Sequence, residues 1–392
     1  MAASNNAEPA EGAFDTLCAL LRGESRGTLR WDALLPLAEL HGVAPLLCER
    51  LGHGAYGPLH ELCRGNFARN ILLTEQLLKL LSALQSAGVE ALPYRGPILA
   101  ALAYGKIGCR VFGDLDFLVR SEDISAAKNV LAKLGYESLH RFSVHLEAQR
   151  LRTSGELGLR HAHLPFVELH TTLVAPVFPF PLDYDGVWRR TQRIELNGCA
   201  VATLGNEDTL LMLCVHAAQP KACWNRLSMV CDVAALVQAK PNINWAFLQK
   251  QADQTHTRRA LLLGLWLASE LLGAQVPEDV RAAIHADRVL PALGRLVRRH
   301  LATGGGLSRA EKMRFSLLVR ERFRDAMRLC VAKLFTPTEP DWRAFQAPPS
   351  RLWLYTFYRP FRLLKETLGS VRKTVLRTSG KRSIVGRTGD KT

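Results

Sequence analysis

The sequence predicts an α/β core with a mixed β-sheet, flanked by N-terminal and C-terminal helical domains. Three observations carry that prediction. Apolar residues at three- and four-residue spacing fill the chain before position 86 and after 205, and period-two alternation concentrates between them. A helical segment with acidic residues at its start separates the alternating runs. The expected divisions are 1–85, an N-terminal helical region; 86–205, the α/β core; 206–335, a helical domain; and 336–392, a Pro-containing linker and basic aromatic tail.

Residues 1–12 read as a loose leader, polar and acidic, which argues against secretion. Helical spacing follows from Phe14 to Ala87, punctuated by Gly and Pro. The texture changes at Gly88: GVEALPYRG predicts a short strand and turn, PILAALAYG a short helix, and Val111 to Val119 a strand. SEDISAAKNVLAKLGYES predicts a helix whose Glu122 and Asp123 suit its N-terminal dipole. FSVHLEAQRL and LGLRHAHLPFVELHTTLV alternate as strands, Phe178 to Asp185 reads as a loop, and Arg193 to Leu204 as two short strands. Helices resume at Asn206, a candidate cap, and continue to about Leu334. Thr336 to Ser350 is Pro-rich and expected to be extended.

At 392 residues and 48% hydrophobic, the chain is long enough for two or three domains with proper cores. Of the formal net charge of +15, residues 351–392 supply +9, with eleven Lys or Arg against two Asp or Glu. The remainder is only mildly basic. Nine cysteines form no CxxC pair and no zinc-type spacing, so isolated, mostly buried thiols in a reducing compartment are expected. The longest apolar stretch, Ala260 to Leu272, contains Glu270 and falls short of a membrane span. A cytoplasmic protein is expected.

The chemistry concentrates in Tyr94 to Val119. Period two puts Asp114 and Asp116 on one strand face, about 7 Å apart between Cα atoms. Such a pair calls for a divalent cation, an arginine, or one raised pKa. Glu168 and His170 are likewise two apart and share a face. If their strand lies beside the first, Asp114, Asp116 and Glu168 converge on one or two Mg²⁺ ions, oxygen ligands favouring Mg²⁺ over zinc. Glu168 could instead take a proton from an acceptor hydroxyl. Gly96 would let backbone N–H groups approach phosphate, with Arg95 or Arg110 as the cationic counterpart. An acidic pair matched only by arginine is the plain alternative, as is a packing role for His170.

These segments together resemble the nucleotidyltransferase superfamily, and within it a bacterial branch of unassigned substrate. The resemblance rests on YRG at 94–96, CRVFGDLDFLV at 109–119, LAKLGYE at 131–137, VELH at 167–170 and VHAAQPKACWNRLSMVCDVAAL at 215–236. It implies a nucleotidyltransferase-type core, with Asp114 and Asp116 as metal-binding aspartates and Glu168 as the third carboxylate. It implies that Gly96 faces the nucleotide phosphates and that Arg110 precedes the acidic pair. Arg95 stands where the branch has lysine, Pro97 follows the glycine where a small residue is common, and the branch's second histidine is absent. His216, Trp224, Arg226 and Asp232 match recurrent helical positions. On this reading His216 and Asp232 could pair, Arg226 could meet phosphate, and Trp224 could stack on a base; an interhelical polar network with a core tryptophan is the alternative.

The implied activity is Mg²⁺-dependent (or Mn²⁺-dependent) transfer of a nucleoside monophosphate from an NTP, ATP being the candidate. The acceptor is an unidentified small molecule, peptide or protein, and pyrophosphate is released. Two other classes stay open: a catalytically impaired nucleotide-binding regulatory protein, and a nucleic-acid end-modifying or antitoxin-like module. The basic tail, with Trp353, Tyr355, Phe357, Tyr358 and Phe361, reads first as a helix docking its aromatic side on the body, ahead of contact with nucleic acid or an anionic membrane.

Overall fold

The alternating residues between 91 and 170 form one mixed five-stranded sheet. Its strands are β1 (Ala91–Pro93), β2 (Asp114–Val119), β3 (Glu137–Ser138), β4 (Glu156–Arg160) and β5 (Phe166–His170), in the order β1-β2-β5-β4-β3. At its centre β2 and β5 run parallel, and every other pairing is antiparallel. The computed structural model describes residues 7–24, 27–52, 56–140, 143–176, 182–345 and 348–366. A second sheet is the hairpin of β6 (Gln192–Leu196) and β7 (Cys199–Thr203). Its Asn197-Gly198 turn has both residues at positive φ, the conformation that a tight two-residue hairpin demands. Thr203 Oγ1 donates to the Pro93 carbonyl at 2.7 Å and ties the hairpin to β1.

Alternation decides which sheet face is which. Leu115, Phe117 and Val119 of β2, with Val167 and Leu169 of β5, pack against Leu73, Leu77, Leu80 and Leu84 of the Gly57–Ser86 helix. Ala127 and Leu131, four apart on the Ile124–Lys133 helix, complete that layer. Each of the fully buried leucines contributes about 1.5–3 kcal/mol. The intervening residues Asp114, Asp116, Glu168 and His170 therefore face the other way. Beside them stand the helices Asn206–Ala217 and Leu227–Ala239, backed by Arg258–Leu272, and the larger core of these helices also includes Phe14 and Leu17 from the Ala7–Leu21 helix.

Several elements depart from the sequence reading. Residues expected as a strand at FSVHLEAQRL form the helix Val144–Ser154, started by the Ser143 side chain accepting from the Leu146 N–H and closed by Gly155 at φ 72°. The cap and the C-terminal glycine outweigh a short alternating run. The N-terminal helix begins at Ala7, inside the expected leader. β2 begins at Asp114 instead of Val111, after a 3₁₀ turn at Ile107–Cys109. The Phe178 to Asp185 loop ends in a helix, Tyr184–Arg189; residues 177–181 lie outside the described ones. Thr336 to Ser350 is not extended throughout: Thr338 and Asp341 form a capping box that starts the helix Glu339–Ala344. Asn206 opens its helix without a side-chain cap. Five of the nine cysteines are buried and all are free. Among the described residues no helix is long and apolar enough to cross a membrane.

Candidate active site

Parallel register sets the centre of the site. Asp116 of β2 lies opposite Glu168 of β5, and Leu118 opposite His170, so one strand supplies a carboxylate and its neighbour a carboxylate and an imidazole. One ligand atom from each of Asp116, Glu168 and His170 lies within 4.8 Å of the others. His170 Nε2 donates to Asp116 Oδ1 at 3.0 Å and lies 3.3 Å from Glu168 Oε2. Asp114, expected in the triad, is not in this tight group; it sits two residues earlier on the same strand, and His170 takes the third place.

Electrostatics marks the same point. Burial opposes a charged imidazole at His170, but hydrogen bonds to Asp116 and Glu168 outweigh it and raise its pKa to about 9. Burial also opposes the Asp116 charge, and Arg95 with His170 overcomes it, holding that carboxyl below the usual range. Asp114 goes the other way: burial and then the charges of Asp116 and Glu168 push it up. Three carboxylates therefore crowd a half-enclosed space with incomplete compensation.

The donor set fits a divalent cation. The 3.0 and 3.3 Å separations match the roughly 3 Å edge of an octahedron with ~2.1 Å arms. An imidazole among the ligands suits Mn²⁺ better than Mg²⁺, which prefers oxygen alone.

Two clefts meet at this centre. One, of about 580 Å³, is lined by Asp114, Asp116, Gly96, Arg69, Arg110 and Arg226. The other, of about 560 Å³, is lined by Glu168, His170, Arg150, Lys221 and Trp342. Arg95, His216 and Met229 line both. Arg95 forms an ion pair with Asp116 at 3.7 Å and donates to His216 Nδ1. Burial, and then the charge of Arg95, hold the His216 pKa well below the ordinary histidine value. Gly96, at φ 54°, starts the short helix Pro97–Leu99. A Cβ there would come within 3.3 Å of the Asp114 carbonyl, so the turn beside the acidic strand requires glycine.

The helical candidates separate. His216 and Asp232 do not pair, because each already has another partner. Asp232 accepts from Arg110 Nε at 3.0 and 3.1 Å and from the Tyr104 hydroxyl at 2.8 Å, so Arg110 holds a carboxylate inside the protein. Trp224 has no exposed surface and belongs to the helical core, which overturns stacking on a base. Arg226 is exposed on the 580 Å³ cleft.

Sequence reasoning missed a supporting layer. Tyr94 stacks edge-on against His170, with ring centroids 5.6 Å apart, and lies under Arg95. Asn70 Nδ2 donates to the carbonyls of Ile107 and Arg110 at 2.7 and 2.9 Å, and Asn66 Nδ2 to those of Gly108 and Arg110. These two asparagines, four apart on one helix, pin the loop that leads into β2. Polar residues at i and i+4 within the apolar stripe of a long helix were the available signal.

A family model described as an uncharacterised nucleotidyltransferase matches residues 27–273, more than half of the chain. Among solved structures, the chain is similar to an antigenic nucleotidyltransferase-like protein from Paracoccidioides brasiliensis, at 16% identity over 55% of this chain and 96% of that one, with a TM-score of 0.31. No curated protein matches.

Proposed function

The chain belongs to this family of uncharacterised nucleotidyltransferases, and from that premise we propose that it transfers a nucleoside monophosphate from an NTP to an acceptor hydroxyl or phosphate, releasing pyrophosphate. The observation that carries the reading is the register pairing of Asp116 with Glu168, joined by His170, at the junction of two clefts. A divalent ion held by Asp116, Glu168 and His170, with Asp114 beside them, would neutralise triphosphate charge and polarise the reacting phosphorus.

The chain's own residues then divide the work. Arg69 and Arg226, exposed on the Asp114 side, are placed for a polyphosphate, and the Gly96 turn brings backbone there without a side chain in the way. On that ground we assign the 580 Å³ cleft to the donor nucleotide, with ATP as the candidate, and take the cytoplasm as the setting of the same reading. The acceptor enters the other cleft, where Glu168 can take its proton. Arg95 stands on Asp116 in place of a free lysine-type cation. This favours, as a second reading, a protein that binds nucleotide without turnover.

Incubation with α-labelled NTPs, Mn²⁺ or Mg²⁺ and cell extract, followed by mass analysis, tests the transfer. Nucleotide should appear on one acceptor, and Asp116→Asn should abolish it. Tight NTP binding with no pyrophosphate released, by wild type and variant alike, would leave the binding-only reading standing.

A further inference from the structure

We propose that the outward faces of two C-terminal helices form a docking surface for an anionic phospholipid bilayer. On the helix Phe323–Phe335, Phe323, Met327, Val331, Leu334 and Phe335 are exposed, Phe323 by 80%. On the helix over 354–366 and the residue just before it, Trp353, Phe357, Phe361 and Leu364 are exposed, Phe361 by 71%. Both sets advance by four, four and three residues, with Phe335 one further on the first. At about 100° per residue, that spacing collects each set into one stripe.

The opposite sides of these helices are the ones that bind the body. Asp325 and Leu329 lie across the first helix from its stripe and are buried. Across the second lie Tyr355, whose hydroxyl donates to the Phe345 carbonyl at 2.8 Å, and Arg359 and Arg362, which both hold Asp341. The two helices are neighbours, since Arg359 Nε donates to the Lys333 carbonyl at 2.9 Å. The expected aromatic docking is made by Tyr355 and Tyr358, whose rings pack against Phe345 at 4.7 and 5.3 Å, while Trp353, Phe357 and Phe361 face outward. Stripes this apolar are unusual on a solvent-facing surface.

Charge selects the occupant. Residues 320–335 carry five basic and two acidic side chains, and 351–366 four and one; Arg320 is buried and Arg359 and Arg362 hold Asp341, which leaves Arg322, Arg324, Arg328, Arg351 and Lys365 exposed. The acids are engaged within the protein: Asp325 by Arg328, Glu321 by the Arg259 N–H, and Glu366 by Arg362. Residues 367–392 add seven basic and one acidic residue to the same end of the sequence. A second copy would bring like charges face to face. A nucleic acid would leave the stripes in water. A bilayer with anionic headgroups takes both the apolar rows and the cations that flank them.

Co-sedimentation of the full chain with vesicles tests the surface, using phosphatidylcholine alone and phosphatidylcholine with phosphatidylglycerol. Wild type should sediment with the anionic vesicles only, and less as salt rises. Phe357→Ser with Phe361→Ser should cut partition roughly tenfold or more while the melting temperature holds. Phe323→Ser with Val331→Ser should do the same from the other helix. The proposal is overturned by equal sedimentation of wild type and both variants, or by none above the vesicle-free control. It is also overturned by a concentration-dependent dimer, or retention of single-stranded RNA, that the same variants abolish without any vesicle binding.

Discussion

Replacing Asp232 with alanine tests whether charge holds the loop that delivers β2. In the fold this carboxylate accepts two bonds from Arg110 Nε and one from the Tyr104 hydroxyl. Its removal strands a guanidinium whose side chain is only 17% exposed. Breaking a buried pair on one side costs about 3–5 kcal/mol. Arg110 opens onto the 580 Å³ cleft, where water can reach it, so the lower figure of about 3 kcal/mol applies. A thermal melt of a 392-residue chain unfolding as one unit should fall by about 4 °C. Tyr104→Phe, which removes one hydrogen bond and strands no charge, should cost about 1 kcal/mol. Arg110→Met combined with Asp232→Leu takes away both charges and should recover at least half of the loss. If Asp232→Ala costs less than about 1 kcal/mol, the pair is worth no more than a surface ion pair, and the reasoning is wrong.

Three other outcomes are expected. Gly96→Ala should destabilise by about 1–3 kcal/mol, because the new Cβ meets both an unfavourable φ and the Asp114 carbonyl; a melt within error of wild type would refute this. Mn²⁺ binding followed by electron paramagnetic resonance should weaken at least tenfold in Asp116→Asn and in Glu168→Gln. It should also tighten with pH up to about 9: His170 has a raised pKa, so its stabilising proton is fully present below the ordinary histidine value, is lost as pH rises through about 9, and competes with the ion until then. Flat binding between pH 6.5 and 9 would remove His170 from the ligand set. Finally, burial at Asp341 is outweighed by Arg362 and Thr338, and its pKa lies below the ordinary 3.8. That stability is present above pH ~4 and lost as pH falls below it toward the folded value, so acid should expose the 354–366 helix to protease, and Asp341→Asn should flatten the dependence.

The strands of the site were legible because alternation is local. Asp116, Glu168 and His170 could be placed on sheet faces from spacing alone, and parallel pairing then brought them together. What spacing cannot encode is the choice of partner across the fold. Arg95 meets His216 across 121 positions, and Arg110 meets Asp232 across 122, and no short pattern distinguishes these from the His216–Asp232 pair that the family resemblance suggested. Trp224 looked usable because it matches a recurrent position of the resembled branch, yet the backbone there turns through positive φ at Cys223 and Trp224 and the indole is fully buried in the core. The helix at Val144–Ser154 was misread for the opposite reason: its signals, Ser143 and Gly155, lay at the ends of the segment, and the alternation lay within it.

The guanidinium of Arg95 forms part of the wall of both clefts while it leans on Asp116. A polyphosphate that draws it away from the carboxylate must also alter the charge seen on the far side. Reciprocity requires the reverse to hold by the same factor. Donor and acceptor would then report on each other through a single side chain, and measuring the affinity for one at saturating levels of the other would give the size of that conversation.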